Sequence, residues 1–306
     1  MNKEHLTSAC PDCNGQAFII GSLPASNLFA GKILGNPLPG GNLYKCSVCH
    51  LGFRWPQKSK RELDLLYANG EHETWSKNSD RRRDWQKARD WLGTNMARGS
   101  SVLDIGCFDG GFLEPLTTVF RCFGVEINSQ ARSRAEAQGI MTAGKDLAEL
   151  AGTFDCITAF DIIEHVQSPR IFLESCFARI KPGGRILLST GNLESRSFRF
   201  MRSRYYYCAK PEHIAFISPE WMEGCAKTLG LKIEHVAFYS HVKATSLKKT
   251  KEILINVSYR ILPALIRWAR MKGLSAKDTR RFPVLADYPP SWTSANDHFL
   301  VVLRKP

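Results

Sequence analysis

Three groups of residues have the types and spacing to do chemistry. Asp104, Asp109, Glu114 and Glu126 crowd a glycine-bearing stretch that runs from Ser101 to Glu126. Carboxylates placed there oppose a phosphate and favour a ligand that carries positive charge. His165, in Asp161-Ile162-Ile163-Glu164-His165, and His213, in Lys210-Pro211-Glu212-His213, are candidates to take a proton near neutral pH. Cys10-Pro11-Asp12-Cys13 and Cys46-Ser47-Val48-Cys49 are two C-x-x-C knuckles. Four thiolates complete a closed tetrahedral zinc site that leaves no coordination position open for water. That points to a structural ion, with redox thiols as the rival reading. His50 reads as a bystander beside the second knuckle.

These groups need elements to hold them. Val102, Leu103 and Ile105 make a short buried-strand pattern, and Gly106 marks a tight turn. Gly110 and Gly111 lie where a helix would open, with Phe112, Leu113 and Leu116 as its apolar face. A second apolar run closes at Glu126. Strand, glycine turn, helix and strand make one half of a nucleotide-binding sheet. A dinucleotide turn wants Gly-x-Gly-x-x-Gly, so that pyrophosphate can lie on bare amides at a helix N-terminus. Here Phe108 occupies the second glycine position. Glu126 can take the ribose hydroxyls of whichever nucleoside is bound. The balance favours S-adenosylmethionine, with its sulfonium and ammonium groups, over NAD.

Asp104-x-Gly106-Cys107-x-x-Gly110-x-Phe112 resembles the first motif of the class I S-adenosylmethionine-dependent methyltransferases. Phe154 to Val166, which includes Phe160, Asp161, Glu164 and His165, is similar to the fourth-strand motif of the branch that includes the ubiquinone-biosynthesis O-methyltransferases. Lys181-Pro182-Gly183-Gly184 resembles that family's turn into its fifth strand. The resemblance covers roughly residues 80 to 240 and the last strand. It implies an α/β fold, with a Rossmann-like, seven-stranded, mostly parallel sheet and helices on both faces. It also implies cofactor contacts at Asp104, Gly106, Cys107, Gly110, Phe112, Glu126, Phe160 and Asp161. Residues 58–100 would hold helices that lid the cofactor, and 191–217 would cover the acceptor. In this branch that covering loop often carries a histidine, here His213. Some sugar C-methyltransferases also join an N-terminal zinc module to this fold.

Composition sets the outer limits. A chain of 306 residues can bury one large α/β core and a small appendage. Its 43% hydrophobic and 23% charged content is that of an ordinary globule, but a formal charge of +13 is not ordinary. Such charge suits nucleic acid, an anionic membrane surface or an acidic small substrate. The first ten residues lack a signal-peptide core, and no run of about 18 apolar residues exists. Ten cysteines without a secretion signal imply reduced thiols or metal ligands, hence a cytoplasmic chain, or one peripheral to the inner face of a membrane.

Residues 1–57 read as the ribbon and 58–306 as the catalytic domain. Phe18 to Ile20 and Asn42 to Tyr44 would be the ribbon's arms, with a loop over 22–41. Lys58 to Tyr67 and residues 80–97 read as helices. Arg81-Arg82-Arg83 is then either a solvated face or an anion contact. Asp146 falls in a loop where an acid could bond the adenine amino group. His165 is either a base or a structural histidine. Tyr205-Tyr206-Tyr207 is either a stacking wall for the acceptor or packing.

Residues 243–297 intervene between the last two strands. Within them Ile253, Leu254, Val257, Ile261, Leu265 and Trp268 recur at helical spacing among seven lysines and arginines between 248 and 272. This is either a lid packing its apolar stripe on the domain or a basic amphipathic helix lying on a membrane. Methyl transfer to oxygen or carbon of a small sugar, glycan or quinone-like acceptor is the leading expectation, the acceptor being anionic or lipid-linked. An RNA methyltransferase is the alternative. Against it, Phe160-Asp161-Ile162-Ile163 is not the Asn/Asp-Pro-Pro-aromatic turn of methylases acting on exocyclic amines of bases. A cofactor-binding scaffold without catalysis is the third class.

Overall fold

The computed structural model describes residues 9–68, 82–142, 144, 147, 150–273 and 286–306. Asp146 and Arg81 lie outside the described residues. The N-terminal region begins with β1 (Ala17–Leu23), a hairpin of β2 (Ser26–Phe29) and β3 (Lys32–Leu38), and β4 (Gly41–Cys46), which pairs antiparallel with β1. The 22–41 segment is therefore not an open loop. Ala30 (φ +47°) and Gly31 (φ +79°) give its hairpin the left-handed pair that a two-residue turn needs. β5 (Gly52–Trp55) adds to β4.

Two helices follow, α1 (Lys60–Ala68) and α2 (Arg83–Asn95). The sheet half reads β6 (Ser101–Ile105), β7 (Arg121–Val125), α3 (Ser129–Ala137) and β8 (Met141–Thr142). Then come β9 (Phe154–Phe160), α4 (Pro169–Arg179), β10 (Ile180–Gly191), α5 (Arg196–Met201), α6 (Tyr206–Ala209) and β11 (Ala215–Phe216). The chain closes with α7 (Pro219–Thr228), β12 (Lys232–Tyr239), α8 (Ser246–Ile261), α9 (Pro263–Met271) and β13 (His298–Arg304). Local chemistry explains the helix starts. Asn128, Ser168, Ser218 and Thr245 each accept an amide hydrogen bond of the first turn, and Pro169 and Pro219 stand where no donor is missed.

Seven strands form the central sheet in the order β12-β13-β10-β9-β6-β7-β8. β10, β9, β6, β7 and β8 run parallel, and β13 is antiparallel to both β10 and β12. Strand order reverses between β6 and β9, which puts a crevice at their carboxyl tips. Val102, Leu103, Ile157, Ile186 to Leu188, Val302 and Leu303 are fully buried, as a sheet covered on both faces requires. Each such side chain contributes about 1.5–3 kcal/mol through burial.

One expectation fails locally. The helix after Gly110 does not form; only turns and a 3₁₀ segment, Glu114–Leu116, connect β6 to β7. Pro115 has no amide to donate, and β-branched Thr117 and Thr118 disfavour continuation. A sheet crosses the boundary expected at residue 57. β11, from the 191–217 stretch, pairs antiparallel with β5, so one four-stranded sheet (β1-β4-β5-β11) spans the ribbon and the rest of the chain.

Candidate active site at the strand tips

At the β6 tip the chain turns through Gly106 (φ +71°), Phe108 (φ +50°) and Gly110 (φ +86°). A Cβ on Gly106 would lie 2.3 Å from Ile162, so both its backbone and its neighbour require glycine. Phe108 keeps the left-handed backbone although it is not glycine, a conformation costing about 1 kcal/mol or more that the surroundings must hold. α2 packs over this turn. Trp85 lies against Phe112, and Arg89 donates to the carbonyls of Gly111 (2.6 Å) and Phe112 (3.1 Å).

Two carboxylates end these strands. Asp104 is buried and accepts from the Thr158 hydroxyl at 2.6 Å. Burial raises it to about 7, against the opposing pull of that hydroxyl and of Arg82. Glu126 accepts from the amides of Asn128 (2.7 Å) and Phe108 (3.0 Å), and burial raises it too. Among the described residues neither carboxylate has an ion-pair partner. Two desolvated acids on adjacent tips fit a cationic ligand, which would repay their lost hydration.

Not every expected contact reaches this surface. Phe112 is fully buried and stacks 4.5 Å from Phe160, so both are core side chains. Cys107 is turned into the same core, against Gly124. What Cys107, Phe112 and Phe160 can offer a ligand is backbone.

The tips of β9, β10 and β13 carry a denser polar cluster. Asp161 sits at φ +55° and accepts from Arg82 at 2.8 Å, while its Oδ1 has no partner among the described residues. Burial would raise Asp161, but the guanidinium of Arg82 prevails and holds it at about 2. Arg82 also pairs with buried Asp84, so it is neither a solvated charge nor an open anion site. Glu164 is fully buried and accepts from Thr190 (2.9 Å) and the Tyr207 hydroxyl (2.7 Å). Burial and then Asp161 raise it to about 7.

His165 faces the Tyr67 hydroxyl (2.8 Å) and the Glu212 carbonyl (3.0 Å), and burial lowers its basicity. His213 packs 4.0 Å from Tyr207 and 5.0 Å from His165, its Nδ1 without a partner among the described residues, and burial lowers its basicity strongly. Donor atoms of Glu164, His165 and His213 all lie within 4.8 Å of one another. The two histidines therefore do converge. Tyr207 is a wall of this cluster, while Tyr205 and Tyr206 donate to Asp297.

Several residues here were missed from the sequence. His298, the first residue of β13, is fully buried, donates from Nδ1 to Asp297 at 2.9 Å, and leaves Nε2 without a partner among the described residues. Burial lowers its basicity, but the Asp297 carboxylate more than compensates, and the net shift is upward. His241 stacks 3.8 Å from it. Register explains the location, since His298 faces Gly191 and Tyr239 at the carboxyl ends of β10 and β12. The only sequence signal was an Asp-His pair opening the last strand.

Arg54 was missed as well. From β5 it donates to the carbonyls of Cys208 (2.8 Å), Lys210 (3.0 Å) and His213 (3.2 Å), gripping the loop that carries His213. Asp12, inside the first knuckle, anchors the ribbon to Ser168 (2.8 Å) and the Trp221 indole (3.0 Å). Cys10 and Cys49 sulfurs lie 3.6 Å apart, and those of Cys13 and Cys46 lie 3.5 Å apart. A tetrahedron of thiolates at about 2.3 Å from one ion spaces its sulfurs about 3.8 Å apart, far beyond a disulfide bond. The four cysteines thus have the arrangement of a metal cluster. His50 instead approaches Glu220 at 3.3 Å.

A family model described as a methyltransferase domain matches residues 78–236, just over half of the chain. The chain belongs to the methyltransferase-domain family. Among relatives of this methyltransferase, a ubiquinone biosynthesis O-methyltransferase of Dechloromonas aromatica is 28% identical over 192 residues, 56% of this chain and 82% of the relative. One from Paraburkholderia xenovorans is 28% identical over 151 residues, 44% of this chain and 65% of the relative. One from Vibrio parahaemolyticus is 36% identical over 114 residues, 33% of this chain and 48% of the relative. The match thus spans from about half to about four fifths of these relatives' lengths.

Among solved structures, a chain from the complex between the Haloferax volcanii Trm112 methyltransferase activator and a methyltransferase superposes with a TM-score of 0.52 at 16% identity. It covers 81% of this chain and 100% of that one. A SAM-dependent methyltransferase of Thermotoga maritima gives 0.50 at 15% identity, covering 80% of this chain and 100% of that one. Both likenesses concern the fold.

Proposed function

We propose that this methyltransferase moves the methyl group of S-adenosylmethionine to an oxygen or carbon of a small acceptor, either a quinone-like metabolite or a sugar or glycan precursor. One observation carries the reading: two buried carboxylates, without ion partners among the described residues, end β6 and β7, and a histidine-rich cluster ends β9, β10 and β13 beside them. The names of the relatives favour a quinone-like acceptor. S-adenosylmethionine supplies a methyl group already activated by its sulfonium. Asp104 and Glu126 hold the positive and ribose ends of that molecule. Alignment of acceptor, methyl and sulfur then accounts for most of the rate.

A hydroxyl or acidic carbon acceptor must also lose a proton. His298 is the best-prepared base, because Asp297 fixes its tautomer and Nε2, though buried, is unpartnered among the described residues. His165 and His213 line the acceptor side, with basicity too depressed by burial to hold a proton near neutral pH. Zinc held by Cys10, Cys13, Cys46 and Cys49 fixes the ribbon, and through Arg54 the loop over the acceptor.

A second reading has its own observation. The convergence of Glu164, His165 and His213 suits a divalent cation that would polarise an acceptor oxygen. Dependence of transfer on added magnesium would favour it. The main test is formation of S-adenosylhomocysteine with a panel of phenolic quinone precursors, nucleotide sugars and RNA. We expect product with the first or second group; product with RNA alone would refute the reading.

A further inference from the structure

The two helices inserted before the last strand are inside out for a packed lid. Within α8, Leu247, Leu254 and Ile261 recur every seven residues on one side, and within α9 Leu265 and Trp268 are three apart. All five are between 53 and 80% exposed. The side turned to the protein is mixed: Tyr259 and Ile266 join the apolar cluster of Tyr205 to Tyr207, and polar groups supply the rest. Asn256 bonds the Ser291 carbonyl, Tyr259 the Asp287 carbonyl, and Arg270 the carbonyls of Ala286 and Tyr288. The reading of a lid that buries its apolar stripe is thereby overturned.

Charge accompanies the stripe. α8 and α9 contain Lys248, Lys249, Lys251, Arg260, Arg267 and Arg270 against one acid, Glu252. That carboxylate is engaged by Thr293 and Ser294. Among the described residues Lys249, Lys251 and Lys272 are exposed and have no ion-pair partner.

We infer that the outer face of α8 and α9 docks on the surface of an anionic phospholipid bilayer, with Leu254, Ile261, Leu265 and Trp268 entering the headgroup boundary and the lysines meeting lipid phosphate. Charge selects this occupant over a second copy of the chain, since a two-fold contact through this face would set like charges against each other. No helix of the described residues is long and apolar enough to cross a membrane. The face is tied to the acceptor side. Tyr259 packs with Tyr205 to Tyr207, and Arg204 and Arg260 exchange bonds with the opposing backbone of α8 and α5. A docked enzyme would therefore open its acceptor half toward the membrane, where a lipid-linked acceptor resides.

Cosedimentation with vesicles tests this. The full chain should pellet with vesicles of equal parts phosphatidylglycerol and phosphatidylcholine, and at least about tenfold less with phosphatidylcholine alone. Leu254→Ser/Leu265→Ser/Trp268→Ser and Lys249→Gln/Lys251→Gln/Lys272→Gln should each weaken binding by roughly a hundredfold. Both variants should keep the wild-type affinity for S-adenosylmethionine, which shows that they fold. Absence of pelleting, or pelleting equal in wild type and variants, overturns the inference. So does a wild-type dimer that the apolar variant dissolves into monomers without any vesicle binding.

Discussion

The two ends of the crevice are built on opposite principles. At the β6 and β7 tips, Asp104 and Glu126 are buried with hydroxyl and amide donors but, among the described residues, no ion partner. At the β9, β10 and β13 tips nearly every charge is answered from within. Arg82 joins Asp84 and Asp161, Tyr207 serves Glu164, and Tyr205, Tyr206 and His298 surround Asp297. The first end is left for a ligand to complete electrostatically. The second is a rigid, pre-organised wall whose open atoms, His298 Nε2, His213 Nδ1 and Asp161 Oδ1, are few. A shared donor and a particular acceptor call for that division, because one end needs charge and the other needs geometry.

If the ribbon belongs to the acceptor end alone, removing its metal should separate the two ends most strongly. Cys46→Ser should abolish zinc, read by atomic spectroscopy as loss of one ion per chain, along with the roughly 10 kcal/mol such sites supply on binding. Acceptor turnover should vanish while cofactor binding persists; loss of both together would show that the ends are not separable. Next in size, His298→Asn should lower transfer about 100- to 10,000-fold at unchanged cofactor affinity. An equal loss in His165→Asn alone would move the base to that histidine.

Arg54→Met should cost about 3 kcal/mol of stability in thermal unfolding, since a buried charged donor to three carbonyls is lost. It should raise KM for the acceptor more than for the cofactor. The smallest effect is on pH. Burial holds folded Asp104 near 7, above its unfolded value of 3.8. Its contribution to stability is therefore fully present below about pH 4 and lost as pH rises through about 7. A cation favours the ionised form, so cofactor affinity should climb from about pH 6 to about pH 8, by at most about tenfold per unit, and Asp104→Asn should flatten the curve.

The same division decides what could be read in the sequence. The donor end comes from one contiguous stretch, Ser101 to Glu126, where strand pattern, glycines and acids lie within one supersecondary unit. Even there the intervening helix was misread, because Pro115 acts against an otherwise helical apolar spacing. Side-chain direction was invisible too, so Phe112 and Cys107 belong to the core. The acceptor end gathers Arg54, Tyr67, Arg82, Glu164, Tyr207, His213 and His298 from segments far apart. Local patterning could mark His165 and His213 as reactive types, but not the antiparallel register that delivers His298. The apolar stripe of α8 and α9 was legible as a period; which way it faces depended on Asn256, Tyr259 and Arg270 finding carbonyls in 286–291.

Titration calorimetry of S-adenosylmethionine against the wild-type chain, Asp104→Ala and Glu126→Ala tests the account most directly. It predicts one site per wild-type chain. Each variant should bind about 10- to 150-fold more weakly, the equivalent of one charge-assisted contact, with its fold intact by circular dichroism. Equal affinity in all three proteins, or no binding to the wild type, would contradict it.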